Sequence, residues 1–187
     1  MALLHTPAAE LGADAPDFNL PGTDGRTHTR DGSRGPNGLL VMFLCNHCPY
    51  VKAIRERLVV DTRELIAAGV GVVAISSNDA REYPEDGPEP MREVAQRHGF
   101  PFPYLYDATQ AVARAYGAVC TPDFFGYDAQ LRLRYRGRLD AAHKGERTPG
   151  MRRELVEAML EIASRGDTAV PQVPSMGCSI KWIATGR

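Results

Sequence analysis

Two cysteines separated by two residues, in the stretch Cys45-Asn46-His47-Cys48, are the side chains of this chain best suited to do chemistry. A thiolate attacks a disulfide through a mixed-disulfide intermediate, and a second thiol three residues along the chain can then close an intramolecular disulfide. The spacing therefore predicts reversible dithiol–disulfide exchange. The alternative interpretation is a pair of half-buried structural thiols.

The segments on either side of the cysteines predict how they are positioned. Upstream, residues 39–44 form an apolar run without polar alternation, which predicts a strand buried on both faces. Downstream, apolar residues recur at helical spacing with charged residues between them. The cysteines therefore lie where a buried strand passes into an amphipathic helix. The free N–H groups and the positive dipole end of that helix are expected to favour the thiolate of Cys45, with Cys48 in the first turn.

Length, charge and apolar patterning exclude several classes of function. The 187 residues suffice for a single domain, 1–187, and a formal net charge of −1 gives no reason to expect a nucleic acid or membrane partner. Residues 1–12 lack the basic region and apolar stretch of a signal peptide, and no apolar run is long enough to span a bilayer. We therefore expect a cytoplasmic protein, where a C-x-x-C pair is catalytic more often than structural.

The first half of the chain predicts an N-terminal extension and a parallel crossover. Residues 1–37 are rich in Pro, Gly and Asp and predict an added β-hairpin. The apolar run 70–76 predicts a second buried strand, parallel to the first. The polar loop 78–90 follows the carboxyl end of that strand and should overhang the cysteines. Its acidic residues are interpreted as solvated, the alternative being contacts to a substrate.

The second half predicts a strand and helix, a Thr121-Pro122 dipeptide at the mouth of a strand, and a β-hairpin. The last helix is predicted to begin at Thr148-Pro149, because Pro is favoured at the first helical position. A C-terminal tail, 166–187, contains the only Trp of the chain. Because large apolar side chains favour burial, we expect this tail to dock on the body of the protein.

These elements together resemble an α/β thioredoxin-like fold with an N-terminal β-hairpin, a strand–helix insertion before a cis-proline, and a docked C-terminal tail. The chain resembles the peroxiredoxin-like thioredoxin-family proteins of the redoxin group, which includes the alkyl-hydroperoxide-reductase/thiol-specific-antioxidant (AhpC/TSA) proteins. The resemblance covers nearly the whole chain and implies a thiol–disulfide oxidoreductase. Its motifs are Cys45–Lys52, Tyr83–Asp86, Phe102–Leu105, Thr121-Pro122 and Gly177–Trp182.

The resemblance also implies a role for each site residue. Cys45 would be the attacking thiol and Cys48 the resolving thiol. His47 would stabilise the Cys45 thiolate and raise the reduction potential, the alternative being an exposed residue of the first helical turn. Pro122 would be cis, with the Thr121 backbone available to an extended peptide. The implied partners are protein or small-molecule disulfides and a thiol or reductase that supplies electrons, with no cofactor.

The sequence departs from the peroxiredoxin pattern, which places a Pro and a Thr or Ser seven and three residues before the peroxidatic Cys. Counted back from Cys48, those positions hold Val41 and Cys45, and counted back from Cys45 they hold Gly38 and Met42. The peroxidatic pocket is therefore missing, which predicts slow reduction of peroxides.

The sequence also departs from thioredoxin, in which a buried Asp on the strand before the motif assists the resolving thiol. In this chain that strand, 39–44, carries only apolar residues. Asp17 and Asp140 are the candidates that the sequence offers as substitutes.

The remaining thiols leave three alternatives open. Cys178 lies among tail residues that favour burial, which predicts a structural thiol, with a third redox thiol as the alternative. In a thiol-dependent peroxidase Cys178 would resolve the oxidised cysteine from the tail. A zinc-binding protein would use Cys45, His47, Cys48 and Cys120 as a Cys₃His set. Because the second cysteine pair of structural zinc sites is missing, no metal is predicted.

Overall fold

The computed structural model describes residues 3–184. Within them, no helix is long and apolar enough to cross a membrane. The strands are β1 (Leu3–His5), β2 (Asn19–Pro21), β3 (Thr27–Thr29), β4 (Leu39–Phe43), β5 (Gly71–Ser76), β6 (Tyr104–Tyr106), β7 (Cys120–Thr121), β8 (Asp123–Tyr127), β9 (Leu133–Gly137) and β10 (Met176–Ser179). The helices are α1 (Arg30–Ser33), α2 (Pro49–Ala67), α3 (Pro88–His98), α4 (Ala111–Tyr116) and α5 (Glu154–Arg165).

The central sheet has five strands in the order β6-β5-β4-β8-β9. Strands β4, β5 and β6 are parallel, while β8 and β9 run antiparallel to their neighbours. Helix α2 connects β4 to β5 and helix α3 connects β5 to β6, as parallel neighbours require. This mixed sheet with helices on its faces confirms the predicted α/β fold class.

Strand β4 forms the middle of the core, because all five of its residues are fully buried. Successive side chains point to opposite faces of a strand. Leu40 and Met42 accordingly pack with α2 and α5, whereas Leu39, Val41 and Phe43 pack with α4 and the N-terminal segment. Two covered faces explain the uninterrupted apolar run. Each such buried side chain stabilises the fold by roughly 2 kcal/mol.

Strands β2 and β3 form the predicted hairpin, with Leu20 opposite His28. The hairpin lies against β6, the edge strand of the central sheet. Gly22 bridges to Leu105, and the Thr23 N–H donates to the Tyr104 carbonyl oxygen at 2.9 Å. It therefore covers the edge of the central sheet that would otherwise present unpaired backbone groups.

The tail docks on the body as predicted, through β10. This strand lies between β1 and β7 in a three-stranded antiparallel sheet. Cys178 is opposite Leu3 on one side and opposite Thr121 on the other. The tail therefore returns to the strand that carries the Thr-Pro dipeptide.

Helix α5 begins at Glu154, so the prediction that it begins at Thr148-Pro149 is wrong. Those two residues instead open a turn, in which the Met151 N–H donates to the Thr148 carbonyl oxygen at 3.1 Å. Gly150 follows with a left-handed φ of 80°, which a helix does not accommodate. The segment before Glu154 is therefore not helical, and it contacts α2 through Arg147 and Arg153.

A buried ion cluster attaches this segment to α2. Asp61 of α2 is fully buried. Arg147 donates to its two carboxylate oxygens at 3.1 and 2.6 Å, and Arg153 donates to Oδ1 at 2.8 Å. One carboxylate thus satisfies two guanidinium groups from a segment distant in sequence.

We expect Asp61→Asn to lower the free energy of unfolding by about 3 kcal/mol, because it leaves two guanidinium groups without their shared anion. Urea unfolding followed by circular dichroism measures this change. The matched control is Asp31→Asn, which removes an exposed carboxylate paired with Arg30 and should leave the midpoint unchanged. Equal midpoints for the two variants would contradict the structural role of Asp61.

Candidate active site

The dithiol lies at the carboxyl end of β4, as the sequence predicts. The Leu44 N–H donates to the Ile75 carbonyl oxygen of β5 at 3.0 Å. The hydrogen bonding between the two strands therefore continues to the residue directly before Cys45. Cys48 is the N-cap of α2, and Pro49 occupies the first helical position. Pro is favoured there because its φ suits the helix and no N–H is lost.

Both sulfur atoms contact the residue that precedes the cis-proline. The Thr121–Pro122 peptide bond is cis, which confirms the prediction. Cys45 Sγ lies 3.1 Å from Thr121 Oγ1, and Cys48 Sγ lies 3.3 Å from the Thr121 carbonyl oxygen, to which the Cys48 thiol can donate when it is protonated. Cys45 is 1% exposed and Cys48 is 0% exposed. The structure therefore brings four of the predicted site residues together in a closed arrangement.

The pKa values of the two cysteines are shifted in opposite directions, which favours the thiolate on Cys48. Hydrogen bonds from the Cys45 and Cys178 thiols, together with the nearby Val51 N–H, lower the pKa of Cys48 to about 4 despite its burial. The pKa of Cys45 is raised, because its thiol donates to Cys48, because it is buried, and because the Asp86 carboxylate is close. The shift of Cys45 is therefore opposite in direction to the low pKa that the sequence predicts.

Asp86 is the buried carboxylate of the site. Its Oδ1 accepts the backbone N–H groups of Asn46 at 2.6 Å and of His47 at 3.2 Å. Its Oδ2 accepts from the Asn78 side-chain amide at 2.7 Å and contacts His47 Nδ1. Although burial raises it, these donors hold the pKa of Asp86 below its usual value. One carboxylate thus fixes the backbone between the two cysteines.

His47 belongs to the site and is not an exposed residue of the first helical turn. Its side chain is 10% exposed, and the Tyr83 ring stacks on it with centroids 5.3 Å apart. A ring nitrogen of His47 lies within 4.8 Å of Cys45 Sγ. Among the described residues, His47 Nε2 has no hydrogen-bond partner. The imidazole is therefore oriented by Asp86 and held against the dithiol.

The interpretation of the acidic loop as solvated is wrong for Asp86, which is fully buried. The substitutes named for the missing carboxylate are also wrong. Asp17 is largely exposed, and the Asp140 carboxylate is occupied by Arg147 and by the Ala142 N–H. The prediction that this loop overhangs the cysteines was the signal that could have identified Asp86.

A second residue missed from the sequence is Arg55, which the helical pattern placed on the polar face of α2. It is 9% exposed and donates to the Asn46 carbonyl oxygen at 2.6 Å. The Tyr104 hydroxyl donates to the Asn46 side chain at 3.3 Å. Two buried groups besides Asp86 therefore hold the turn between the cysteines.

The proposed Cys₃His zinc set does not assemble. Among the described residues, the group with metal-ligand spacing is Cys45, His47 and Asp86, without Cys48 and Cys120. The Asp86 oxygens are already occupied by four N–H donors, so this group lacks a free carboxylate ligand. The donor set fits a hydrogen-bonded dyad beside a thiol better than a structural zinc site.

We expect Asp86→Asn to lower the pKa of Cys45, because it removes a nearby negative charge that raises it. The pH dependence of iodoacetamide alkylation in a Cys48→Ser background measures this shift. Glu85→Gln is the matched control, since Glu85 is an exposed acid of the same loop. An alkylation profile that does not move in Asp86→Asn, or that moves equally in Glu85→Gln, would contradict the assignment.

Comparison with solved structures shows close overall similarity to two proteins. An uncharacterized conserved protein from Geobacillus kaustophilus is 42% identical, with a TM-score of 0.92 over 100% of this chain and 99% of that chain. A hypothetical protein from Sinorhizobium meliloti 1021 is 41% identical, with a TM-score of 0.90 over 97% of this chain and 99% of that chain. A search of curated proteins found no match.

More distant similarity supports the fold. The thioredoxin domain of a thiol-disulfide oxidoreductase from Bacteroides vulgatus is 14% identical, with a TM-score of 0.58 over 69% of this chain and 89% of that chain. This confirms the thioredoxin-like fold predicted from the motifs. The model of the AhpC/TSA family matches residues 11–136, which include the dithiol, the buried Asp and the cis-proline. The chain therefore belongs to the AhpC/TSA family.

Proposed function

We propose that this protein is a thiol–disulfide oxidoreductase in which Cys45 and Cys48 alternate between dithiol and disulfide. The observation that carries the proposal is the contact of both sulfurs with Thr121, directly before a cis-proline, at the N-terminus of α2. Membership of a redoxin family supports a redox function. The Asp86–His47 pair beside Cys45 adds a group able to hold a proton near the reacting sulfur.

The exchange proceeds in two balanced steps. Cys45 passes its proton to the Cys48 thiolate and attacks one sulfur of the substrate disulfide, and the other substrate sulfur leaves as a thiolate that is then protonated. Cys48 attacks Cys45 Sγ, the bond between Cys45 and the substrate breaks, and the proton of Cys48 passes to the second substrate sulfur, which leaves as a thiol. The substrate is reduced by two electrons, and the Cys45–Cys48 disulfide is formed.

Access to the dithiol requires movement, because neither sulfur is exposed. The backbone of Thr121, which the resemblance assigns to an extended peptide, pairs with Cys178 of the tail. Beside Pro122 lies a groove lined by Tyr50, Phe124 and Arg138. We propose this groove as the approach for protein or small-molecule disulfides, with a cellular thiol or reductase as electron donor in the cytoplasm.

A thiol-dependent peroxidase is the second candidate, favoured by the AhpC/TSA match. In that function a cysteine thiolate attacks a peroxide oxygen, and donors must stabilise the leaving oxygen. The Thr121 hydroxyl is one such donor, 3.1 Å from Cys45 Sγ. The residues three and seven positions before each cysteine supply no hydroxyl and no proline. Because these groups are missing, we favour disulfide exchange over peroxide reduction.

We expect Cys45→Ser and Cys48→Ser each to lower the rate of insulin disulfide reduction by at least about 100-fold, because each removes a sulfur that both steps need. Cys120→Ala is the matched control and should keep the wild-type rate. In Cys48→Ser, a mixed disulfide with the substrate should accumulate on Cys45, detected by mass mapping. Accumulation on Cys48 in Cys45→Ser, with none on Cys45, would reverse the assigned order of attack.

We also expect stopped-flow mixing of the reduced protein with hydrogen peroxide to show slower oxidation of the dithiol than mixing with a small-molecule disulfide. The physical reason is the missing Pro and Thr, which would stabilise the leaving oxygen. Intrinsic fluorescence and acid-quenched mass spectrometry follow both reactions. A faster reaction with peroxide than with disulfide would replace the first candidate by the second.

A further inference from the structure

The side chain of Cys178 points toward the dithiol. Cys178 on β10 is directly opposite Thr121 on β7. Directly opposed residues of an antiparallel pair project from the same face, with Cβ atoms about 4.5–5.5 Å apart. Because Thr121 Oγ1 lies 3.1 Å from Cys45 Sγ, that face is the one that covers the dithiol.

Cys48 lies between two thiols. Cys45, Cys48 and Cys178 belong to the same buried cluster, and Cys178 is 5% exposed. Both neighbouring thiols also lower the pKa of Cys48, as expected of groups close to its sulfur. The strand pairing and the shared cluster therefore place Cys178 beside the dithiol, on the side of Cys48.

The tail is built to hold Cys178 in this position. A Cβ on Gly177 would lie 1.9 Å from the Thr121 carbonyl oxygen, so a residue without a side chain is needed for the close approach of β10 to β7. Two residues before Gly177, Ser175 Oγ donates to the Pro122 carbonyl oxygen at 2.7 Å. The tail residues Gly177 and Ser175 thus contact both residues of the Thr-Pro dipeptide, and these contacts hold Cys178 in its position.

We propose that Cys178 is a third redox thiol, which takes over the disulfide of the Cys45–Cys48 pair as a Cys48–Cys178 disulfide, a role that rests on the thiol–disulfide exchange proposed above. The Cys178 thiolate attacks Cys48 Sγ, the Cys48–Cys178 bond forms, and the Cys45–Cys48 bond breaks. Cys45 leaves as a thiolate and takes up the proton that Cys178 released. One disulfide is present before and after, so no further oxidant is required.

Oxidation of the Cys45–Cys48 pair removes two of the causes that raise the pKa of Cys178. In the reduced protein, burial, the hydrogen bond to Cys48 and the charge of Cys48 raise the pKa of Cys178 to about 12. The last two causes disappear when Cys48 enters a disulfide, whereas the Lys181 ammonium group continues to lower the pKa. The pKa of Cys178 is therefore lower in the oxidised protein than in the reduced protein, while burial continues to raise it in both.

Tryptic mapping distinguishes the two disulfides, because trypsin leaves Cys45 and Cys48 together in peptide 35–52 and places Cys178 in peptide 166–181. The protein is oxidised with limiting oxidised glutathione, quenched with acid, alkylated in denaturant and digested without reduction. A Cys45–Cys48 disulfide stays within one peptide. A Cys48–Cys178 disulfide links the two peptides, and fragmentation identifies Cys45 as the alkylated residue.

We expect the linked peptide in the wild type and in Cys45→Ser, and its complete loss in Cys178→Ser with the Cys45–Cys48 disulfide retained. Cys120→Ala is the matched control and should form the linked peptide at the wild-type level. Formation of the Cys45–Cys48 disulfide in the wild type without any linked peptide there or in Cys45→Ser would overturn the role of Cys178. Absence of the Cys45–Cys48 disulfide itself would instead overturn the proposed function.

Discussion

The buried carboxylate of Asp86 is the interaction on which the rest of the site depends. It holds the backbone N–H groups of Asn46 and His47 and so fixes the turn that separates the two cysteines. It also accepts from the side-chain amide of Asn78, whose carbonyl oxygen accepts the Lys181 N–H of the tail at 2.8 Å. A charged acceptor buried with all its donors in place is costly to disturb. One group thereby connects the dithiol, the loop after β5 and the tail.

This arrangement separates two negative charges within a closed site. Asp86 lies on the side of Cys45 and His47, whereas the thiolate lies on Cys48 at the start of α2. The helix N-terminus favours the anion on Cys48, and stabilising a thiolate stabilises the reduced form of a dithiol. Oxidation removes the charge from Cys48, while Asp86 keeps its own. The electrostatic difference between the two redox states is therefore concentrated at one sulfur, the one that also contacts the tail.

The sequence predicts most of the fold and the identity of the dithiol, since the apolar run before Cys45 and the helical spacing after Cys48 are local patterns. It predicts the cis bond at Pro122 through the resemblance of motifs. The burial of Asp86 and Arg55 could not be predicted, because both depend on partners distant in the chain, and an acid in a polar loop is most often solvated. The directions of the two cysteine pKa shifts could not be predicted either, because they depend on the neighbouring Asp86 and Cys178, which are distant in the chain.

An equilibrium redox titration of the dithiol tests the central claim most directly. The protein is equilibrated with thiol–disulfide buffers of known potential, and the fraction of Cys45–Cys48 disulfide is measured by alkylation and mass spectrometry. The stabilised thiolate and the neighbouring imidazole predict a reversible two-electron transition with a midpoint above the value of about −270 mV found for thioredoxin. A dithiol that fails to oxidise and reduce reversibly across these buffers would contradict a thiol–disulfide exchange function for this protein.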